Sequence, residues 1–290
     1  MKSRALLVTT AIIWGLAFVA QRQGMEFVSP FAFNAVRFAL GFLVLIPFAL
    51  FKRDQPITTS RRTFLLGGVA TGILLFIASS LQQIGVVYTT AGKAGFITGL
   101  YVILVPLMGV ALKHRIGWWT WLGAIVGVIG LYLLTVTESL TIEYGDLLVL
   151  IGAFFWAAHV HMIGHFSARI GAIRLSVMQI AICSLLSFVA AGMFETIRLD
   201  ALMAGTVPIL YTGVLSVGIA YTFQMIGQQG TPPSQAAIIL SLETVFAVIG
   251  GWLLLGETLP LRGILGCGIM FAGMTVSQLD GTKPSLEKNR

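Results

Sequence analysis

The sequence predicts an all-α integral membrane protein whose ten transmembrane helices form two inverted five-helix repeats. Three observations predict it: the composition, the length of the apolar runs, and a pattern that recurs at a constant offset. Hydrophobic residues make up 57% of the 290 residues, charged residues make up 10%, and the mean hydropathy is +0.93. Soluble domains carry about 25% charged residues. A chain with so few charges cannot cover a soluble globule with polar surface.

Ten apolar runs are close to the length that a transmembrane helix needs, which is about 20 residues. Several connections between them are short, and the sequence contains no segment that resembles a soluble domain. A polar tail at 281–290 is expected to be disordered in the cytoplasm. We number the runs spans 1 to 10: 4–21, 31–51, 64–86, 92–112, 118–135, 145–164, 173–193, 205–227, 233–255 and 261–279.

The second half of the chain repeats the first at an offset of 142 residues, which becomes 143 beyond residue 115 or so. Matches between apolar residues arise by chance, but tryptophan and glutamine are rarer, so their matches carry more weight. The offset takes Trp14 to Trp156 and Gln82 to Gln224. We therefore predict two repeats of one unit, 1–140 and 143–280.

The distribution of Lys and Arg predicts the orientation in the membrane. With a cytoplasmic N-terminus, 13 of these residues fall in cytoplasmic segments and 4 on the opposite side. Both termini are therefore expected in the cytoplasm. The net charge of +7 then reflects orientation and contact with anionic lipids of the bilayer, so no nucleic-acid partner is predicted. Because each repeat has five spans, the second must be inverted relative to the first.

Inverted repeats are typical of secondary transporters, whose binding site lies near the bilayer midplane between the repeats. Polar side chains inside a membrane face the protein interior or a wet cavity, and here they occur at matching places in four spans of each repeat. Span 5 offers only glycines and is expected to serve packing or homodimer formation. Twelve residues are predicted to bind a small-molecule substrate: Trp14, Gln21, Asn34, Arg37, Gln82, Tyr101, Trp156, His159, Gln179, Tyr221, Gln224 and Glu243.

The sequence leaves alternative roles open for these residues. The two tryptophans could belong to an interfacial aromatic belt, and the glutamines could simply bond neighbouring helices. Arg37 could bind an anionic substrate group, pair with Glu243, or extend towards the cytoplasmic face. Glu243 could carry a coupling proton or bond span 9 permanently to a neighbouring helix.

Other chemistries have little support in the sequence. Cys183 and Cys267 lie in apolar runs and are predicted to be core residues. His159, His161 and His165 lack the pattern of a metal site, and no nucleophile elbow or phosphate-binding loop occurs. We therefore predict no cofactor, no metal and no enzymatic activity. An embedded enzyme would need a reactive constellation, and a membrane sensor would need an output domain.

Three segments carry a resemblance to a known family: AIIWGLAFVAQRQG at 11–24, KAGFITGLYVILVPL at 93–107 and SLETVFAVIGGWLLLGETL at 241–259. With ten spans in two halves, the whole chain resembles the EamA-like transporters of the drug/metabolite transporter superfamily. The family usually has proline after the glutamate at position 243, but Thr244 stands here, so no proline kink is predicted at that point.

The resemblance implies a carrier of the bacterial inner membrane with a central cavity. Members of the family typically export amino acids, other metabolites or toxic organic compounds. We therefore predict a secondary active transporter that exports small metabolites such as amino acids by alternating access. The alternative is multidrug or organic-cation efflux, in which Glu243 and the aromatic walls would hold the cation.

Overall fold

The computed structural model describes residues 2–51, 60–89, 91–135, 143–255 and 261–280, and every regular element in these ranges is helical. Nine helices there are long and apolar enough to cross a membrane, and the shorter apolar helix Trp118–Leu134 corresponds to span 5, the remaining predicted span. This agrees with the predicted all-α membrane protein. The predicted disordered tail at 281–290 and the motif residues Gly256 and Glu257 lie outside the described residues.

Fourteen α-helices account for the ten spans, because some spans are divided and α9 lies between spans 7 and 8. Span 4 consists of α4 and α5, span 9 of α12 and α13, and span 8 contains α10, a π-helical segment and α11. The helices are α1 Lys2–Gly24, α2 Pro30–Phe51, α3 Arg61–Tyr88, α4 Ala91–Gly99, α5 Tyr101–Ala111, α6 Trp118–Thr135, α7 Tyr144–Ile170, α8 Ala172–Phe194, α9 Leu199–Ala204, α10 Thr206–Leu210, α11 Tyr221–Gln229, α12 Pro233–Leu240, α13 Glu243–Leu255 and α14 Leu261–Ser277.

Spans 4 and 9 are interrupted at counterpart positions. The breaks fall at Leu100 and Leu242, which the offset of 142 residues relates. At each leucine the backbone N–H bonds to the carbonyl three residues earlier, at 3.2 Å, as in a tight helical turn. The interruption before Thr244 therefore forms without a proline. The Thr244 hydroxyl donates to the Gly95 carbonyl at 3.0 Å, which joins the two interrupted spans.

Span 8 contains a π-helical segment, Tyr211–Ala220, between two α-helices. Long π-helices are rare, and short ones are common at functional sites. The counterpart residues 69–78 of span 3 lie inside a continuous α-helix. Span 1 bonds to the π-helical segment: the Trp14 indole N–H donates to the Ser216 carbonyl at 3.2 Å, and the Thr10 hydroxyl donates to the Ala220 carbonyl at 3.2 Å.

Spans 5 and 10 pack against each other through glycines. Gly123 lies against Gly273, and Gly130 lies against Gly266. The residue numbers rise along one helix as they fall along the other, so the two helices are antiparallel. Small residues let helix backbones approach closely in a membrane. The structure therefore places span 5 in intramolecular packing, and its role in a homodimer stays a prediction.

Another pair of contacts recurs in both halves. Gly85 of span 3 packs against Val149 of span 6, and Gly227 of span 8 packs against Leu7 of span 1. At the offset of 142 residues Gly85 corresponds to Gly227 and Val149 corresponds to Leu7, so the two contacts are equivalent. Counterpart helices therefore meet through counterpart residues.

Carboxylates at the ends of two spans cap other spans that are distant in sequence. Glu195, which follows span 7, accepts hydrogen bonds from the Ser29 hydroxyl at 2.7 Å, Phe31 N at 3.0 Å and Ala32 N at 2.8 Å. Asp280 accepts from the Thr120 backbone N–H and hydroxyl, both at 2.6 Å, near the start of span 5. The first N–H groups of a helix have no intrahelical partner and attract negative charge. The two carboxylates therefore tie the span ends together.

Candidate functional site

A central cavity with about 500 Å³ of empty space, part of it open to the surroundings, lies among seven of the spans. Nine of the twelve predicted residues line it, together with five that were not predicted to contact substrate. The lining residues are Trp14, Phe18, Gln21, Arg37, Gln82, Thr98, Tyr101, Trp156, Val160, Ser216, Tyr221, Gln224, Leu240 and Glu243.

Aromatic rings form one wall of the cavity. The Tyr221 ring lies between the two tryptophans, with its centroid 4.8 Å from Trp14 and 6.4 Å from Trp156. The Trp156 and Tyr221 rings are nearly parallel, at 20°. Both tryptophans therefore lie in the protein interior and not in an interfacial belt. Such a wall offers flat apolar surface to a ligand.

A chain of side-chain hydrogen bonds crosses the cavity wall. The Trp156 indole N–H donates to Gln82 Oε1 at 2.9 Å, and Gln82 Nε2 donates to Gln21 Oε1 at 3.2 Å. Gln82 thus bonds neighbouring helices while it lines the cavity. Its counterpart Gln224 differs, because Gln224 Oε1 is buried and has no hydrogen-bond partner within the described part of the chain.

Arg37 brings a buried positive charge to the cavity, since only 3% of the residue is exposed. Its Nε donates to Asn34 Oδ1 at 2.9 Å, and Asn34 Nδ2 donates to the Ser79 carbonyl at 3.2 Å. Asn34 therefore orients Arg37 from behind and does not itself line the cavity. In the described ranges no carboxylate lies within 4.0 Å of the Arg37 nitrogens, so the alternative pairing with Glu243 is absent here.

His159 and Gln179 also lie behind the lining. Both are fully buried, and His159 Nε2 bonds to Gln179 Oε1 at 2.8 Å. The His159 ring packs at right angles to Trp156 and Tyr221, with centroids 5.8 Å and 6.3 Å away. In this structure the two residues support the aromatic wall and do not line the cavity, and their direct contact with substrate stays a prediction.

Glu243 is the first residue after the break in span 9 and is 4% exposed. It shares the cavity with Thr98 and Tyr101 of span 4. The Tyr101 hydroxyl interacts with the Glu243 carboxylate, whereas the Thr98 hydroxyl is buried without a hydrogen-bond partner among the described residues. Within the ranges described, no Lys or Arg nitrogen lies within 4.0 Å of the Glu243 carboxylate. The two interrupted spans therefore place a carboxylate and two hydroxyl groups beside the cavity.

Helical spacing could have identified four of the five additional lining residues. Phe18 and Val160 follow the two tryptophans by four positions, and Thr98 and Leu240 precede Tyr101 and Glu243 by three. The fifth, Ser216, lies in the π-helical segment, for which the sequence gives no comparable signal.

The histidines of α7 bond to other groups of the protein. The part of the chain that the structure describes contains no group of three His, Cys, Asp or Glu residues placed to hold a metal ion. His161 Nε2 bonds to the Val105 carbonyl at 2.8 Å, and His165 Nε2 bonds to Arg169 Nη1 at 2.6 Å.

Comparisons with known proteins extend over nearly the whole chain. The model of the EamA-like transporter family matches residues 1–136 and again residues 143–278. An uncharacterized transporter of Archaeoglobus fulgidus is 32% identical over 277 residues, which cover 94% of this chain and 84% of that protein. The uncharacterized inner membrane transporter YedA of Escherichia coli is 26% identical over 276 residues, 92% of this chain and 87% of that protein. A crystal structure with 18% sequence identity has a TM-score of 0.79 and covers 96% of each chain, which indicates a shared fold.

Proposed function

Because the chain belongs to the EamA-like transporter family, we propose that it is a secondary active transporter that exports a small metabolite such as an amino acid. The single observation that carries this proposal is the central cavity, where seven membrane spans bring polar side chains together. Polar groups inside a membrane are costly and usually mark a transport pathway. Transport by alternating access would expose this cavity to each side in turn.

An inverted arrangement of the two repeats is part of the proposal. Spans 5 and 10 are counterparts in sequence, and their glycine contacts run antiparallel. Counterpart helices that point in opposite directions are what a two-fold axis in the membrane plane produces. The paired contacts of Gly85 with Val149 and of Gly227 with Leu7 support the same axis, as do the two separate family matches.

The proposed binding site has aromatic sides and polar ends. Trp14, Trp156, Tyr221 and Tyr101 would contact the apolar part of the substrate, because all four line the cavity. Arg37, Gln82, Gln224 and Glu243 would contact its polar groups, because all of them line the cavity. Asn34, His159 and Gln179 would act by holding the lining in place.

Glu243 is our candidate for a group that carries a coupling proton. It is buried beside the cavity, and intramembrane carboxylates commonly serve proton relays. Organic-cation efflux is the alternative function, and the observation that favours it is the meeting of this carboxylate with aromatic faces in one cavity.

We also propose the bacterial inner membrane as the location, with both termini in the cytoplasm. The excess of Lys and Arg on one side, 13 to 4, supports the orientation. The name of the Escherichia coli relative, an uncharacterized inner membrane transporter, supports the location. A homodimer is compatible with this arrangement, and no nucleic-acid partner is proposed.

Flux into and out of vesicles tests the proposal. Purified protein is reconstituted in vesicles loaded with a bacterial metabolite extract, a pH gradient is imposed, and the released compounds are identified by mass spectrometry. We expect protein-dependent release of one class of metabolite, and loss of release with Trp14→Ala or Gln82→Ala. Trp252→Ala is the matched control, because Trp252 is 51% exposed on span 9 and does not line the cavity.

The same vesicles test the coupling role of Glu243. Glu243→Gln should leave downhill exchange of the metabolite in place and abolish its dependence on the pH gradient. Release by Trp14→Ala and Gln82→Ala proteins at the wild-type rate would refute the site, and absence of any protein-dependent flux would refute the function.

A further inference from the structure

Arg37 is a charged group whose bonding capacity the protein only partly uses. We propose that Arg37 forms a subsite for a singly charged anionic group of the substrate. The chemical class that fits is a carboxylate. This inference rests on the proposed function, because it assigns one end of the substrate in the same cavity.

The structure holds the guanidinium group in one orientation. Asn34 binds its Nε atom, and Ser79 in turn fixes Asn34 through the backbone carbonyl. The rings of Phe33 and Phe38 lie 5.6 Å and 4.9 Å from the guanidinium carbon. Arginine presents a planar fork of donors that matches a carboxylate with two parallel hydrogen bonds. Such a fork, fixed in advance, loses little entropy when a ligand binds.

The two terminal nitrogens of Arg37 are the part of this fork that remains for a ligand. Among the residues described they have no hydrogen-bond partner, while the side chain borders the cavity. The titratable side chains that face them are Tyr221 and Cys183, and neither is a carboxylate. An unpaired charge inside a membrane protein is costly. An anionic group that enters the cavity would supply the missing partner.

The charges of the lining indicate which anion fits. Arg37 is the one cationic side chain among the lining residues, and Glu243 is the one carboxylate. A phosphate group with about two negative charges would exceed the single positive charge and would be repelled by Glu243. A carboxylate matches the charge of Arg37 and leaves Glu243 free for its proposed role.

The second repeat offers no equivalent subsite. The counterpart of Arg37 is Gln179, which lies outside the lining and is bonded to His159. Among the described lining residues the positive charge therefore comes from the first repeat alone, so a carboxylate-bearing substrate would bind in one direction. Arg37→Gln also gives the first repeat the residue that the second repeat already carries, which makes it a mild substitution for testing.

Thermal unfolding of the detergent-solubilised protein with matched ligands tests this subsite. The probes are leucine, leucinamide, isoamylamine and 4-methylpentanoate, and the corresponding set built on phenylalanine. A ligand that binds only the folded state raises the midpoint. We expect the carboxylate-bearing members of at least one set to raise it and the amide and amine to have much smaller effects.

Substitution of Arg37 should remove this preference. Arg37→Gln is expected to weaken carboxylate binding about 10- to 100-fold, as the loss of charge-assisted hydrogen bonds predicts. Arg37→Lys should retain part of the binding, because a lysine keeps the charge but lacks the fork. Arg198→Gln is the control, since Arg198 is exposed and pairs with Asp200 outside the cavity.

Three results would overturn the subsite: equal shifts by acid and amide, shifts that persist in Arg37→Gln, or no shift by any carboxylate. Vesicle flux separates this failure from failure of transport. Release of an uncharged or cationic metabolite at an equal rate by wild-type and Arg37→Gln proteins would reject the subsite and keep the proposed function. Carboxylate binding that depends on Arg37, without any flux, would keep the subsite and reject the proposed function.

Discussion

A single methyl group at Gly266 is expected to force spans 5 and 10 apart. A Cβ atom added there would lie 2.6 Å from the Gly130 carbonyl oxygen and 2.6 Å from Leu134 N. Both are backbone atoms of the facing helix, so rotation of a side chain cannot relieve the collision. Gly268 lies two residues further along the same helix, and a Cβ atom added there would meet nothing within 4 Å.

The two alanine variants isolate the cost of this contact. Replacing glycine by alanine in a helix gains up to about 1 kcal/mol from the backbone, and this gain is common to both variants. Overpacking in Gly266→Ala costs about 1–3 kcal/mol. We therefore expect the free energy of unfolding of Gly266→Ala to be lower than that of Gly268→Ala by about 1–3 kcal/mol.

The measurement is unfolding of the purified protein by dodecyl sulfate in mixed micelles, followed by circular dichroism. Equal stability of the two variants, within about 0.5 kcal/mol, would refute the close contact between the spans. Gly130→Ala provides a second check, because it acts on the same contact. The double variant Gly130→Ala/Gly266→Ala should lose less stability than the sum of the single losses.

Three further predictions concern hydrogen bonds between spans and use the same unfolding assay. Glu195→Ala should lower the free energy of unfolding by about 1–3 kcal/mol because it leaves the start of span 2 uncapped, whereas Glu26→Ala, an exposed carboxylate on the neighbouring turn, should change it little. Gln82→Leu should lower the free energy of unfolding by about 1–3 kcal/mol, because it leaves the Trp156 indole N–H without an acceptor. The loss should be smaller in a Trp156→Phe background, which has no indole N–H, and fully additive losses would contradict the bond. Thr244→Val should lower the free energy of unfolding by about 0.5–1.5 kcal/mol, because it removes the hydroxyl that donates to Gly95 of span 4. Thr244→Ser keeps a hydroxyl and should retain most of the stability, and equal losses in the two variants would exclude the bond.

The spans were predictable because a single physical requirement determines them. A helix that crosses the hydrocarbon core has to be apolar over a fixed length, and that requirement is visible in composition alone. Span 5 agrees least well, since its apolar stretch in the described ranges, Trp118–Leu134, falls just short of the length required of a candidate membrane span. Helix ends depend on individual contacts, such as the caps at Glu195 and Asp280, and these bring together residues far apart in sequence.

The cavity lining was predictable where a residue type that is uncommon inside a membrane recurred at the counterpart position of the other repeat. Trp14, Trp156, Gln82 and Gln224 all satisfy both conditions, and all border the cavity. Helical spacing gives the face of a residue but not its distance from the centre. The three predicted residues that lie one layer behind the lining are Asn34, His159 and Gln179.

Irregular backbone left no recognisable pattern in the sequence. The break in span 9 forms without a proline, and the π-helical segment Tyr211–Ala220 has no proline or charged residue that would indicate it. Both features depend on neighbouring spans, which accept or supply the hydrogen bonds that the irregular backbone leaves available. Ser216 borders the cavity from within this segment and could not have been predicted from helical spacing.

The π-helical segment leaves the two tryptophans with different partners. Trp156 donates its indole N–H to Gln82, whereas Trp14 donates to the Ser216 carbonyl and not to Gln224, the counterpart of Gln82. A solute that bonds to Gln82 has to compete with Trp156 and Gln21, but one that bonds to Gln224 meets an acceptor that has no donor. A solute donor that bonds to Gln224 Oε1 therefore displaces no hydrogen bond between the described residues, so binding breaks fewer protein hydrogen bonds at span 8 than at Gln82.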